Sequence, residues 1–488
     1  MFDLSKQGGE KEPNILLITT DQLRKDVVSA YDDSVGGYGE ITPNIDHLAE
    51  EGVKFENCNA VTPVCAPTRA SMMTGRYPHV HGQLSNGFSM KSEETYWWEI
   101  LQEDGYHTAG IGKMHVEPWD DPLNWEYNRR IEGKDFSGED EYAKFLRNRG
   151  HKFNRPRFSK ELKGEPMWSS TFIDALPAED QLDKYVADRA IQYFDEINQS
   201  KEPFASWVSF CNPHHPLDPP QAYYNKFENF PVPEHVYDAS EEETKPKEQE
   251  VHRAWLEATE EDRKIAWRSY LACTNFVDHQ VGKLIKKLDQ EGLLDNTLVI
   301  FTSDHGEMLF DHGLFDKAFF FYEQTINVPL VVRTPDGREA ERSKATCENF
   351  DVAPTILDYA GSKIPGDFQA NSLNPVLEGE QEELRDYAVS SHLYMRMVKT
   401  DSAKLVYYQG RPYGELYDLN NDPEELENHW DDPSYAELKM NLMDKLLDWS
   451  IDSIEPGFTQ LEEPTNKGAY KWAFEKNNEE EILDRYFS

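Results

Sequence analysis

Apolar positions fall in short dense runs, each closed by polar residues. Asn14–Thr20 (NILLITT) is β-rich and ends abruptly at Asp21 and Gln22, which predicts a buried strand with polar groups at its C-terminal end. Thr42–Gly52 (TPNIDHLAEEG) predicts a short helix: Thr42 caps it, Pro43 enters the first turn, Ile45, Leu48 and Ala49 form its stripe, and Gly52 stops it. The alternation continues with a helix around Glu93–Glu103, strands near His107–Ile111 and Pro203–Cys211, and a helix from about Ile265 to Glu291. The next strand, Thr297–Thr302, again ends in polar residues. Strand followed by helix, repeated, predicts an α/β fold with a mostly parallel central sheet and helices on both faces.

Two stretches break this rhythm. Residues 119–177 have weak periodicity, and residues 223–260 are acidic and punctuated by proline, so both read as insertions over the edge of the sheet. After Leu377 the texture changes to short strand-like runs (Tyr387–Ser391, Ser402–Tyr408) and a helix near Tyr435–Ile451. The expected organisation is a main domain over residues 1–375 and a smaller C-terminal α+β subdomain with a tail over residues 376–488.

Bulk properties narrow the function classes. With 91 acidic and 50 basic residues the formal charge is −41, which disfavours nucleic acid as a partner and is mostly accounted for as a hydrated, soluble surface. No run approaches the roughly 18 apolar residues that a membrane-spanning helix needs, so no membrane span is expected. Met1–Asn14 is polar and lacks an apolar signal core, which leaves a cytoplasmic location or a secreted or periplasmic one with its leader removed. Cys58, Cys65, Cys211, Cys273 and Cys347 are too few and too scattered for a disulfide framework or a CxxC zinc site.

The chemistry gathers at the strand ends. Asp304 and His305 follow one apolar strand as Asp21 and Gln22 follow another, so two parallel strands can deliver three oxygens and an imidazole to one edge. That set suits Ca²⁺ or Mn²⁺ better than thiolate-bound zinc; acidic strand ends that simply face water are the alternative. Between the two pairs lies Cys65-Ala66-Pro67-Thr68-Arg69, in which a cysteine near an arginine reads as a candidate thiolate nucleophile.

The run from Cys65 to Arg76 (CAPTRASMMTGR) resembles the signature of the formylglycine-dependent, type I sulfatases of the alkaline-phosphatase superfamily. Further blocks resemble the family in family order: TPNID at Thr42, GRYPHVHG at Gly75, GYHTAGIGKMH ending at His115, PHHP at Pro213, SDHGEMLFDHGLFDK ending at Lys317, and ELYDLNNDPEE at Glu415. The two insertions and the tail after about Gly457 are not covered. The resemblance implies hydrolysis of a sulfate ester to an alcohol and sulfate. It implies that a maturation enzyme oxidises Cys65 to formylglycine, whose hydrate attacks sulfur with one oxygen and expels sulfate with the other. Arg69 would hold that hydrate. Asp21, Gln22, Asp304 and His305 would bind the metal together with residue 65. Lys113 and Lys317 would clamp the sulfate, His214 would be the general acid to the leaving oxygen, and His115 would help release sulfate.

The Asp21-Gln22 and Asp304-His305 pairs depart from the Asp-Asp and Asp-Asn of many family members and resemble the branch with choline sulfatases and phosphonate monoester hydrolases. A neutral glutamine and an imidazole make Mn²⁺ a rival to Ca²⁺ and keep phosphonate monoesters or phosphodiesters in play. His215 competes with His214 for the acid role. His81 and Asn86 read equally as substrate contacts or loop supports, Asp278 as structural, and the other four cysteines as core thiols. One further feature is the basic stretch Lys144–Lys163 (KFLRNRGHKFNRPRFSKELK). It reads either as pairing with the protein's own acids, such as Glu241–Glu243, or as a rim for a polyanionic glycan with Trp119, Trp125 or Trp168 stacking on sugar. The substrate expected on this basis is a small-molecule or oligosaccharide sulfate ester, with carbohydrate favoured.

Overall fold

The computed structural model describes residues 12–31, 41–91, 93–118, 123–131, 141–151, 171, 176–252, 258–335, 337 and 340–454. Eight strands form the main sheet: β1 (Asn14–Asp21), β2 (Val53–Asn59), β3 (His107–Gly112), β4 (Tyr127–Arg130), β5 (Phe204–Pro213), β6 (Thr297–Ser303), β7 (Leu330–Arg333) and β8 (Glu341–Glu348). Their order is β4-β3-β5-β1-β6-β7-β2-β8, parallel throughout except for β7, which runs antiparallel to both neighbours. All eight residues of β1 are buried, as expected for a central strand covered on both faces.

Alternation along β1 shows the two layers directly. Leu16 and Ile18 pack with residues of α5 (Leu182–Ser200) and α6 (Glu260–Gln290), whereas Ile15 and Leu17 pack with Met72 and Met73 of α2 (Cys65–Thr74) and Trp97 and Leu101 of α3 (Trp97–Glu103). The short helix α1 (Pro43–Glu50) docks on α6 through Asp278, whose carboxylate accepts from the Asn44 and Ile45 backbone N–H groups at 3.0 and 2.9 Å and from the Asn44 amide at 2.6 Å. Asp278 is therefore structural, as expected: it takes up helix N-terminal donors that have no intrahelical partner.

Departures from the sequence reading are local. Part of the first insertion extends the sheet, since β4 pairs in parallel with β3, and α4 (Glu141–Asn148) buries Tyr142 and Leu146 in the core. The nineteen-residue α5 lies outside the predicted elements, although Leu182, Tyr185, Val186, Ala190, Tyr193, Phe194 and Ile197 recur at helical spacing. The second insertion forms a strap: Val236 N–H donates to Asp311 at 3.0 Å, Gln249 to Glu415 at 3.0 Å, and Glu248 accepts from Tyr394 and Tyr413 at 3.2 and 2.9 Å. The residues it reaches belong to the loop after β6 and to a second, antiparallel sheet. That sheet comprises β9 (Ala388–His392), β10 (Met395–Lys399), β11 (Ala403–Tyr408) and β12 (Gly414–Asp418), and α7 (Ala436–Asp452) packs on it through Leu442, Leu446 and Trp449. Among the described residues no helix is long and apolar enough to cross a membrane.

Behind α2 sit two histidines that the fold holds neutral. His81 Nε2 meets Ser71 Oγ at 3.0 Å and its Nδ1 accepts from Gln83 N–H at 3.2 Å. Burial, reinforced by Arg76, holds His81 down to about 3, and burial with Arg396 holds His79 down to about 4. At these two sites the unfolded chain binds more protons than the native protein between pH 6.5 and about 4, whereas Asp278 and Glu307, which burial pushes up to about 7, act in the opposite sense. Each histidine is expected to withdraw up to about 1.4 kcal/mol of stability per pH unit on acidification through that window. The gap in urea midpoint between wild type and His79→Gln at pH 7, 6 and 5 checks this; a gap that does not change with pH would contradict it.

Candidate active site

Four adjacent parallel strands, β3, β5, β1 and β6, end side by side, and each delivers its C-terminal residues to one edge: Lys113, His214, Asp21 with Gln22, and Asp304 with His305. Ligand sites in open α/β sheets form at such carboxyl ends. The approach of β3 depends on Gly112, whose φ is +92° and where a Cβ would lie 1.9 Å from the Ser209 carbonyl oxygen. No other residue fits there, and the tight passage turns Lys113 into the site. Cys65 is the first residue of α2, all ten residues of which are buried.

A charged lattice holds these groups. Arg69, fully buried, donates through Nε to Asp304 Oδ2 at 2.8 Å and through Nη1 to the Lys113 carbonyl at 2.8 Å and to Ser209 Oγ at 2.7 Å. Lys113 Nζ pairs with Asp21 Oδ2. Burial would raise the Asp21 pKa, yet Lys113, His214 and Arg69 hold the carboxylate well below its usual range. Burial likewise opposes ionisation of Cys65, but Lys113, Lys317 and His115 hold the thiol well below its ordinary value. His115 itself has φ +50° and Gln22 +68°, uncommon conformations for residues with side chains, both at the site.

One ligand atom each from Asp21, Cys65, Asp304 and His305 lies within 4.8 Å of the others, and all four residues are buried. His305 Nδ1 meets the Gly306 carbonyl at 2.9 Å, so Nδ1 carries the proton and Nε2 turns its lone pair to the cluster. Asp21 Oδ1 and His305 Nε2 face each other across 3.8 Å with no hydrogen-bond partner among the described residues. Leaving two such atoms buried and unsatisfied costs about 1–3 kcal/mol each. Two carboxylate oxygens and an imidazole nitrogen directed at one point fit a divalent cation.

Gln22 stands at the edge of this cluster. Its Nε2 donates to Glu307 Oε2 and, at 3.1 Å, to Asp316 Oδ1, while its Oε1 accepts from Lys317 Nζ. Because the two carboxylates accept the amide protons, the carbonyl oxygen has to face Lys317. Glu307 also accepts from the Leu309 and Asp316 backbone N–H groups at 2.9 and 2.5 Å, and burial with Asp316 pushes its pKa up to about 7. Glu307, Asp316, Ser209 and Asn349, whose amide supports the Ser303 and Asp304 carbonyls at 3.1 and 2.9 Å, were not among the sequence candidates. The two acids lie inside the Ser303–Lys317 block, so proximity in sequence was the available signal.

His214 Nδ1 meets the His215 carbonyl at 2.5 Å and Nε2 accepts from Lys317 Nζ at 2.7 Å. Burial and the Lys317 charge hold this imidazole down to about 4. Its neighbour His215 turns instead to Asp316, with Nδ1 3.4 Å from the carboxylate. Asn86 accepts from Ala66 N–H at 3.1 Å and lies 3.7 Å from the Cys65 sulfur through its amide nitrogen, whereas His81 supports the loop behind. Cys58, Cys211, Cys273 and Cys347 are buried and form no disulfide among the described residues.

One reading of the first insertion changes. Trp125 is 6% exposed and stacks on Trp98 at 3.9 Å, so it is a core residue and no sugar platform; Trp119 and Trp168 lie outside the described residues. In the basic stretch, Arg149 pairs with Asp180 and His151 lies 2.6 Å from the same carboxylate, while Glu241 binds His312 at 2.7 Å and Lys245 at 3.2 Å. Within the described part of the stretch, Arg149 and His151 thus meet one of the protein's own acids, Asp180; residues 152–163 lie outside the described residues.

Comparison with known proteins agrees with this geometry. The sulfatase family profile matches residues 13–362, and that of the N-sulphoglucosamine sulphohydrolase C-terminal region matches residues 310–452. The chain is 30% identical over 477 residues to an arylsulfatase of Clostridium perfringens, covering 92% of this chain and 96% of that one. It is 28% identical to an N-acetylglucosamine-6-O-sulfatase of Bacteroides thetaiotaomicron, covering 89% and 86%. Among solved structures, a phosphonate monoester hydrolase of Agrobacterium radiobacter superposes with a TM-score of 0.77 at 26% identity, covering 92% of this chain and 98% of that one. With strand ends, buried signature helix and both profile matches in agreement, the chain belongs to the sulfatase family of sulfuric ester hydrolases in the alkaline phosphatase superfamily.

Proposed function

We propose that this protein hydrolyses the sulfate ester of a sulfated carbohydrate at a formylglycine derived from Cys65, assisted by a divalent cation. The observation that carries the reading is the convergence of Cys65 with Asp21, Asp304 and His305 on one point. The relative that acts on N-acetylglucosamine 6-O-sulfate, similar over most of both chains, supports a carbohydrate substrate.

Asp21, Asp304 and His305, with Gln22 beside them, would hold the cation, which supplies charge to polarise the ester oxygens. Ca²⁺ is the expected ion, with Mn²⁺ its rival because His305 softens the set. The Cys65 sulfur stands where the hydrated aldehyde of formylglycine would be; that group supplies an oxygen nucleophile. A maturation enzyme of the host is the partner that this requires. Lys113 and Lys317 place two cations against the transferring sulfate, and Arg69 anchors both Asp304 and the Lys113 backbone. His115 lies against residue 65, where it can take or return a proton. Attack at sulfur breaks its bond to the alcohol oxygen, which leaves with a proton, and water is consumed overall. His214 would supply that proton from Nε2: this nitrogen now accepts from Lys317 Nζ, and once the sulfate draws the ammonium to itself the imidazole can take up a proton from solvent and give it to the leaving oxygen. The segment from residue 376 onward would be a subdomain that walls the substrate pocket.

His214→Gln tests the acid role. Its kcat/KM is expected to fall about 10²- to 10⁴-fold for an alkyl or sugar sulfate but far less for a nitrophenyl sulfate, whose leaving group needs no proton. Equal losses on both substrates would remove His214 from that role. A second reading, phosphonate monoester hydrolysis, is favoured by the Gln22 and His305 donors and by the similarity to the Agrobacterium enzyme. Paired sulfate and phosphonate esters of one leaving group decide between them.

A further inference from the structure

A half-buried arginine in the small sheet has no acidic partner among the described residues. Arg396 of β10 donates through one guanidinium nitrogen to the Leu393 and Met395 carbonyls, both at 2.8 Å, beneath the β9–β10 turn. No carboxylate among the described residues pairs with it, and burial alone lowers its pKa. The other deeply placed arginines all meet acids: Arg24 meets Asp26 and Asp311, Arg69 meets Asp304, and Arg385 meets Glu348 and Asp351. In a chain with 91 carboxylates and 50 lysines and arginines, an unanswered guanidinium is the exception. Withdrawing a cation from water without a counter-charge costs free energy, which an incoming anion returns.

The surroundings are cationic as well. Both Arg396 and the exposed Lys91 act on His79 as positive charges, and Lys91 acts likewise on His81. Contacts lead from this cluster to the reacting centre. Lys91 N–H donates to the His81 carbonyl at 2.8 Å, on the loop that carries Ser85 and Asn86. Ser85 Oγ meets His392 Nε2, at the end of β9, at 3.0 Å, and the next residue, Asn86, touches Cys65. The ring of Phe319, two residues beyond Lys317, sits edge-on to His392 at 5.2 Å. Arg396 thus lies just beneath the turn after His392, which meets the loop that touches Cys65, and among the described residues its Nε–Nη2 edge, the edge that grips oxyanions in a fork, has no protein partner.

We propose that Arg396, assisted by Lys91, forms an anion-binding subsite that holds a second sulfate or carboxylate group on the alcohol portion of the substrate. The inference rests on the sulfatase reading above and adds a substrate class: esters that carry a further negative charge beyond the one hydrolysed. The subsite is built by the small sheet and the loop after α2, whereas the cluster at Cys65 needs neither cation.

The test uses matured wild-type, Arg396→Gln and Lys91→Ala proteins. Hydrolysis of 4-methylumbelliferyl sulfate, whose leaving group has no second charge, is measured alone and with glucosamine 6-sulfate or its 2,6-disulfated counterpart as competitor. Wild type is expected to bind the disulfate about 10- to 100-fold more tightly than the monosulfate. Arg396→Gln should erase that preference and Lys91→Ala reduce it, both keeping kcat/KM for the aryl sulfate within about twofold. A wild type without preference, or variants that keep it, overturns the subsite. Parallel weakening of both competitors in Arg396→Gln assigns Arg396 to turn support and also overturns it; Lys91→Ala, at the surface, shows whether the loss is one of folding. Failure of wild type to hydrolyse any sulfate ester strikes at the sulfatase function itself, a result distinct from all of these.

Discussion

Cys65→Ala is expected to lower kcat/KM for an aryl sulfate at least about 10⁴-fold while leaving the fold intact. The residue occupies the first turn of a wholly buried helix, so alanine removes one sulfur atom and no backbone bond, and the chemical denaturation midpoint should barely change. The environment explains the size of the catalytic loss. Lys113, Lys317 and His115 all press on the Cys65 sulfur, an arrangement that would be costly around an inert core thiol. Mass spectrometry of the tryptic peptide that holds Cys65, from a host able to mature such proteins, accompanies the kinetics. An alanine variant with near wild-type turnover would remove residue 65 from the chemistry. An unmodified thiol in an active wild type would leave the residue in place and reject the formylglycine.

Asp304→Asn is expected to lose both cation binding and stability. Asp304 Oδ1 accepts from the Gln22 and His305 backbone N–H groups at 3.0 and 2.9 Å, which forces an asparagine to keep its oxygen there. Its amide nitrogen would then face Arg69 Nε, donor against donor, where the carboxylate now accepts at 2.8 Å. Arg69 is fully buried, and breaking a buried pair on one side costs about 3–5 kcal/mol. Activity should fall at least about 10³-fold, since the same carboxylate supplies a cation ligand. Urea unfolding, together with calorimetric titration of Ca²⁺ and Mn²⁺ into the metal-free protein, measures the two effects separately. Unchanged cation affinity would exclude Asp304 from the metal site, and unchanged stability would show that Arg69 finds another counter-charge.

What was legible in sequence was local or repeated. The runs at Asn14–Thr20 and Thr297–Thr302 declare buried strands because a strand covered on both faces must be apolar throughout, and both end in polar residues where the chain emerges at the sheet edge. The signature helix was recognisable only as a resemblance: CAPTRASMMT is buried on every side and has no stripe to read. The helix α5 was missed despite its spacing, and β4 because four residues with one buried side chain carry almost no periodic signal.

By itself, the sequence determined the α/β class, the family and the side chains that meet at Cys65, because each is encoded by a short contiguous block or by strand-end polarity. Tertiary structure alone decided what those side chains do to one another. The direction of the Gln22 amide is dictated by Glu307 and Asp316, nearly 300 residues away in the chain, and the protonation of His214 by Lys317. Trp125 is a core ring and not a sugar platform because Trp98 stacks on it. Arg396 meets no carboxylate among the described residues, because the fold surrounds its guanidinium with the carbonyls of the β9–β10 turn. Hydrogen bonding and charge pairing act over a few ångströms in space, and no pattern along the chain specifies which distant groups come that close.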